Sequence, residues 1–215
     1  MFPLFIEMPF TYLICGLIIL SSITGFYYKP YYHLLIFHPY KVFKGERVHT
    51  LFTSAFVHTG WWHLIFNVYV FYNMSRDIEY VFMEKSPGFI ENQGMCFLLF
   101  SLSILFSNII VGYKQKNNLT LTSVGASAAV FAFMGFVSTY YPIAHLKSRP
   151  TLIPLYYGYE FAFALIIITA LFFFRKSENS NNKVHFYGLI MGITIAVFLR
   201  SELVGEIINN VKLRL

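Results

Sequence analysis

The sequence predicts an all-α integral membrane protein, in which residues 1–215 form one domain built as a bundle of six transmembrane helices. Hydrophobic residues make up 57% of the chain and charged residues only 12%, against roughly 25% charged residues in a soluble domain. A mean hydropathy of +0.59 points the same way. No polar stretch is long enough to form a second domain, so composition excludes a soluble domain with a single anchor.

Six apolar segments predict the six helices. Crossing the hydrocarbon core takes about 20 apolar residues, and the segments are 12–26, 60–79, 95–113, 125–141, 155–174 and 184–203. All eight prolines lie outside these segments or at their margins, which supports the boundaries because proline breaks helices. The polar connections 113–118 and 175–183 cannot lie in lipid.

The first segment is expected to stay in the protein as a membrane helix. The ten residues before it carry Glu7 and no Lys or Arg, so they do not resemble a cleaved signal. The connection over 27–59 is rich in aromatic residues, and we expect it to lie in the bilayer interface. Cys15 and Cys96 fall inside predicted helices and are interpreted as small buried side chains, without a disulfide or a metal pair.

Three predicted helices bring polar residues to one depth of the membrane. Segments two, four and six run in the same direction, so residues near their starts face the same side. At about 1.5 Å per residue, His63, Asn67, Ser127 and His185 all fall in the outermost third of the bilayer. Polar residues inside a membrane are costly and are more often functional than polar residues elsewhere.

The chemistry of this group is that of nucleophilic catalysis. A serine becomes a good nucleophile when a base takes its proton, and histidine is the usual base. Gly125 permits a tight turn before Ser127, which would then lie at a helix N-terminus where free N–H groups favour a developing oxyanion. His63 and Asn67 are four residues apart and share a helix face, so both are candidate donors to an oxyanion hole.

Three further residues are predicted to bring the serine and the histidine together. Phe131 lies four residues after Ser127, on the same helix face, and we expect it to pack under the His185 ring. Gly188 and Gly192 form a small-xxx-small stripe that allows a neighbouring helix to approach closely.

Structural interpretations compete with the catalytic one. A lone serine in a membrane helix usually bonds its own backbone or a neighbouring helix, and a histidine at a helix end is often only interfacial. His63 and Asn67 could join two helices by hydrogen bonds. His49, His58 and His63 suggest a metal site, but the chain lacks HExxH and a carboxylate on that face, so no metal and no other cofactor is expected.

The net charge of +6 is spread over the connections, with no basic cluster of five or more residues. This pattern favours contact with the headgroups of a lipid bilayer and argues against nucleic-acid binding.

Taken together, the motifs resemble those of the rhomboid intramembrane serine proteases, over roughly residues 45–203. The matching motifs are Gly125-x-Ser127 followed by Val130-Phe131-Ala132, His58 before His63-x-x-x-Asn67, His185-x-x-Gly188-Leu189-x-x-Gly192, residues 53–58 and 62–67, and Glu79 at the inner end of the second segment.

The resemblance implies a serine endopeptidase that cleaves transmembrane segments of other membrane proteins near a small residue. It makes Ser127 the nucleophile and His185 the general base, a dyad without a third acid, and it places His63 and Asn67 in the oxyanion hole with the Ser127 N–H. The cytosolic N-terminus typical of the family puts the active site near the outer face. A bacterial inner membrane is the expected location, because no transit peptide precedes the first segment.

Two positions depart from the family pattern. The family usually has glycine after the nucleophile, and the methyl group of Ala128 is expected to narrow the oxyanion hole or the substrate pocket. The family's first-loop arginine aligns with Thr50, and Arg47 lies three residues earlier.

These departures leave alternatives open. A catalytically weak or silent rhomboid-like protein that binds membrane clients is one of them, and Ala128 favours it. A small six-helix transporter is the other, although such folds tend to show internal repeats, which this sequence lacks.

Overall fold

The structure is a computed structural model that describes residues 4–85, 88–144, 155–174 and 181–214. In these ranges the chain is mostly helical, and an isolated antiparallel β-bridge joins Phe37 and Ser123. The helices are α1 (Pro9–Tyr27), α2 (Lys29–Leu35), α3 (Pro39–Val42), α4 (Thr50–Thr53), α5 (Trp61–Lys85), α6 (Phe89–Lys114), α7 (Ser127–Tyr140), α8 (Gly158–Phe174), α9 (Asn181–Leu199) and α10 (Leu203–Lys212), with a 3-10 turn at Ser54–Phe56.

Six of these helices correspond to the six predicted segments, and the prediction of an all-α membrane bundle is confirmed. Among the described residues, α1, α6 and residues Asn182–Leu199 of α9 are long and apolar enough to cross a membrane. Helices α7 and α8 are apolar but shorter, with 14 and 17 residues. Helix α5 has 25 residues and carries its charged side chains in its second half.

Three boundaries differ from the prediction by four or more residues. Helix α5 continues to Lys85, six residues beyond the predicted end at residue 79. Helix α6 begins at Phe89 rather than at residue 95. The polar stretch 91–94 interrupts the apolar pattern from which the start of this helix was predicted. Helix α9 ends at Leu199 rather than at the predicted residue 203, and α10 then forms a separate helix that the sequence did not predict. Residues 175–180 of the predicted polar connection lie outside the described residues.

The aromatic connection between α1 and α5 is folded and fastened to the bundle. Phe37 exchanges two backbone hydrogen bonds with Ser123, of 3.1 and 3.0 Å. The Asn108 amide on α6 donates to the Leu51 carbonyl at 2.8 Å. Arg47 donates to the carbonyl of His33. Contacts to α6 and to the segment before α7 therefore anchor this connection, and Arg47 adds a hydrogen bond within the connection itself.

Glu79 joins α5 to the start of α1. Its side chain is fully buried and accepts hydrogen bonds from the backbone N–H groups of Phe10, at 3.1 Å, and Thr11, at 2.9 Å. A carboxylate at the N-terminus of a helix satisfies amides that have no partner within the helix and interacts favourably with the helix dipole. Glu79 thereby satisfies two backbone amides of α1 and holds the start of α1 against the second half of α5.

Helix α7 is the centre of the bundle. All its residues except Phe131 and Met134 are buried. Its closest neighbour is α9. A Cβ atom added at Gly188 would lie 3.0 Å from the Ala128 carbonyl carbon, and one at Gly192 would lie 2.6 Å from the Ala132 carbonyl carbon. From the first pair to the second, the residue number increases by four on both helices. Helices α7 and α9 therefore run parallel, with their backbones in contact.

We predict that Gly192→Ala destabilises the bundle by about 1–3 kcal/mol, because the added methyl group has no space against the Ala132 backbone. Gly94→Ala is the control, since a Cβ at this helical position meets nothing within 4 Å. That variant should keep or raise the free energy of unfolding, by up to about 1 kcal/mol. Unfolding in detergent measures both, and equal stability of the two variants would contradict the close contact.

Candidate active site

The candidate site is built around the turn that precedes α7. Gly125 has a φ of +108°, and a Cβ atom at this position would lie 2.7 Å from Cε1 of His63. Both the backbone conformation and the available space therefore require glycine. Ser127 follows as the first residue of α7 and is 9% exposed, so its hydroxyl lies beside the free N–H groups of a helix N-terminus.

His58 connects this turn to α1. Its imidazole is fully buried; Nδ1 lies 2.9 Å from the Ser22 hydroxyl, and Nε2 accepts a 3.4 Å hydrogen bond from the Ala126 N–H. The Gly125 N–H donates to the Ser54 carbonyl at 2.9 Å. Two consecutive amides before Ser127 are thus tied to the segment between α1 and α5.

His185 lies against the same face of α7 as Ser127. Its ring stacks on Phe131, with centroids 4.5 Å apart and an interplanar angle of 15°, which is the packing expected from the four-residue spacing. Within the described part of the chain, no hydrogen bond joins Ser127 to His185. Catalytic hydrogen bonds are often long in the absence of substrate and tighten in the complex.

His63 and Asn67 have different partners. The His63 ring packs edge-on against His58, with centroids 4.9 Å apart, and its Nδ1 lies 3.2 Å from the Thr59 hydroxyl. The buried Asn67 side chain donates to the His63 carbonyl of its own helix at 2.8 Å. His63 therefore contacts the turn before Ser127, whereas the described bond of Asn67 stays within α5.

Most of the chain, over residues 45–202, matches a known protein family, the Rhomboid domain. The chain belongs to the rhomboid family. It is accordingly an integral, multi-pass membrane protein of the family of intramembrane serine proteases. No curated protein matches the chain at a significant level.

The range that matches the Rhomboid domain includes some elements of this protein and leaves out others. It covers His58, His63, Asn67, Ser127 and His185. Helices α1 to α3 and α10 lie outside it. Ser22 on α1, which touches His58, is therefore a part of the site that neither the motifs nor the family match includes. A serine inside an apolar helix carries no sequence signal that would have singled it out.

Ala128, where the rhomboid pattern usually has glycine, is 2% exposed. Its backbone lies against Gly188 at the contact between α7 and α9. The additional methyl group is accordingly part of the packing around the start of α7. Among the described residues, no group of three His, Cys, Asp or Glu side chains is arranged to hold a metal ion.

We predict that acid destabilises this rhomboid protein through His58. Burial lowers the pKa of His58 from 6.5 to about 3, and the neighbouring His63 contributes. Between these values the unfolded chain binds the proton and the folded protein does not, so the free energy of unfolding falls as the pH falls from about 6.5 towards 3.

Thermal unfolding of the wild type and of His58→Gln over this pH range measures the effect. The wild type should lose more stability between pH 6.5 and 4.5 than the variant, which has no imidazole to protonate at this position. Parallel pH profiles would contradict the prediction.

Proposed function

We propose that this rhomboid protein is an intramembrane serine endopeptidase that cleaves transmembrane segments of other membrane proteins. The observation that carries the proposal is the position of Ser127 at the start of α7, one turn from the Phe131 ring on which His185 stacks. This arrangement supports the proposal because a candidate nucleophile, a candidate base and free backbone N–H groups are near the start of the same helix.

The proposed reaction is acyl transfer in two steps. His185 takes the proton of the Ser127 hydroxyl as the oxygen attacks the scissile carbonyl, and it returns the proton to the leaving amine. Water, activated by the same imidazole, then hydrolyses the acyl-enzyme. In the described residues no carboxylate contacts His185. The stack on Phe131 would therefore orient the ring in place of a third catalytic acid.

Charge on the tetrahedral intermediate needs hydrogen-bond donors. We assign this role to the Ser127 N–H at the helix N-terminus and to the side chains of His63 and Asn67. His63 lies against Gly125, two residues before the nucleophile. Asn67 uses one amide hydrogen for the His63 carbonyl, and the amide group retains a second hydrogen for the oxyanion.

The starts of α5, α7 and α9 carry the proposed site, so it lies at one end of the bundle. The N-terminus begins α1 at the opposite end, where Glu79 holds it. With a cytosolic N-terminus, as in the family, the site is near the outer face of the membrane. A polar opening on that side would supply the hydrolytic water. We propose a bacterial inner membrane as the location.

The alternative function is that of a silent rhomboid protein that binds membrane clients. Two observations favour it. Ala128 replaces the usual glycine at a tightly packed position, and Ser127 makes no hydrogen bond to His185 in the described structure. Reaction of Ser127 with an active-site probe separates the two functions.

We predict that a fluorophosphonate probe labels Ser127, and that Ser127→Ala abolishes both labelling and cleavage of a transmembrane substrate in liposomes. His185→Ala should also abolish both, because an unactivated serine is a poor nucleophile. Ser138→Ala is the matched control on α7, where the hydroxyl bonds the Met134 carbonyl at 2.6 Å. A wild-type protein that resists the probe would favour the client-binding function.

A further prediction separates the two asparagines of α5. Asn67→Ala should slow cleavage by about 10²–10³-fold if its amide supplies an oxyanion donor. Asn73→Ala is the matched control, because Asn73 donates to the Tyr69 carbonyl four residues earlier at the same 2.8 Å. Steady-state cleavage and thermal unfolding of both variants decide the role. Equal rate losses, or a loss that follows stability, would make Asn67 structural.

A further inference from the structure

Ser22 lies in the second half of α1, fully buried and outside the residues that match the Rhomboid domain. Its hydroxyl has two partners. It donates to the Phe56 carbonyl at 3.0 Å, and it lies 2.9 Å from Nδ1 of His58. The other ring nitrogen of His58 accepts from the Ala126 N–H, in the turn before Ser127.

The hydrogen atoms available in this series of hydrogen bonds determine which tautomer His58 adopts. A serine hydroxyl has a single hydrogen, and the Phe56 carbonyl, which has no hydrogen to offer, takes it. The Ser22 oxygen must then accept a hydrogen from Nδ1 of His58. A neutral imidazole carries one N–H, so Nε2 keeps its lone pair and is free to accept from Ala126.

The opposite tautomer does not fit these positions. A hydrogen on Nε2 would point at the Ala126 N–H, so that two donors would face each other. Nδ1 would then need the Ser22 hydrogen, and Phe56 would lose its donor. Every donor and acceptor in this series of hydrogen bonds has a partner only when Nδ1 carries the hydrogen of the neutral imidazole. The direction of the hydrogen bonds therefore runs from Ala126 to His58, from His58 to Ser22, and from Ser22 to Phe56.

We propose that Ser22 is a positioning residue, which holds His58 as the Nδ1–H tautomer so that Nε2 can fix the Ala126 N–H and thereby the turn that presents Ser127. The catalytic consequence rests on the proposed function. The amide that follows Ala126 belongs to Ser127 and is a proposed oxyanion donor. The hydrogen bond to the Ala126 N–H holds the peptide group that directly precedes this one, so that only the φ and ψ of Ala126 separate the fixed amide from the Ser127 N–H.

Loss of the Ser22 hydroxyl leaves His58 without a satisfactory state. In Ser22→Ala, the Nδ1–H tautomer has a buried hydrogen without an acceptor, and the Nε2–H tautomer opposes the Ala126 N–H. Without the Ser22 acceptor the Nδ1–H form loses its preference, and the Nε2–H form that partly replaces it breaks the hydrogen bond to the Ala126 N–H. Ser22→Thr retains a hydroxyl that can both donate and accept. Ser21→Ala is the matched control, because its neighbouring hydroxyl bonds the Tyr31 hydroxyl at 2.9 Å, away from His58.

The first measurement is independent of activity. Nitrogen-15 NMR of the histidine side chains in the full-length protein distinguishes the two tautomers, with the His58 signals assigned by their loss in His58→Gln. The wild type and Ser21→Ala should show the Nδ1–H form at His58, and Ser22→Ala should show a changed tautomer population. An Nε2–H form in the wild type, or an unchanged population in Ser22→Ala, would overturn the proposal.

The second measurement is the rate at which a fluorophosphonate labels Ser127. We expect about a tenfold loss in Ser22→Ala, the size that corresponds to one lost hydrogen bond, with recovery in Ser22→Thr and no loss in Ser21→Ala. A fall in thermal stability with an unchanged labelling rate would make Ser22 merely structural. If the wild type is not labelled at all, the proposed function fails, and the NMR measurement still decides the role of Ser22.

Discussion

The close contact between α7 and α9 is the constraint on which the rest of the site depends. Gly188 and Gly192 lie against the backbone of Ala128 and Ala132, so the two helices approach more closely than any side chain between them would allow. In this register the second turn of α9, which carries His185 and Gly188, lies beside the start of α7. The stack of His185 on Phe131, one helical turn after Ser127, agrees with this register.

Hydrogen bonding in a nonpolar environment supplies the second constraint. An unsatisfied polar group in the bilayer core costs several kcal/mol, so a buried polar side chain constrains the position of the group to which it hydrogen-bonds. Glu79 holds the start of α1, and His58 joins α1 to the turn before α7. The polar residues within the apolar helices thereby align α1, the aromatic connection and α7 with one another.

Much of the fold could be predicted from the sequence because apolar length and proline positions are local signals. The beginning of α6 and the whole of α10 were missed for the same reason. Polar residues at 91–94 interrupt the apolar pattern of α6, and α10 is amphipathic and too short to cross a membrane. Ion pairs flank this helix, with Arg200 just before it contacting Glu206 and Arg214 just after it contacting Glu160 on α8.

The sequence by itself determined the residue types of the candidate site and their common depth at one end of the bundle, because helices that run in the same direction bring their starts to one depth. It also indicated the glycine stripe and the pairing of Phe131 with His185, since helical spacing alone defines a face. Only the tertiary structure decided that Ser22 contacts His58 and that Asn67 bonds its own helix. Such contacts depend on side-chain directions and on residues distant in the chain, which no local pattern encodes.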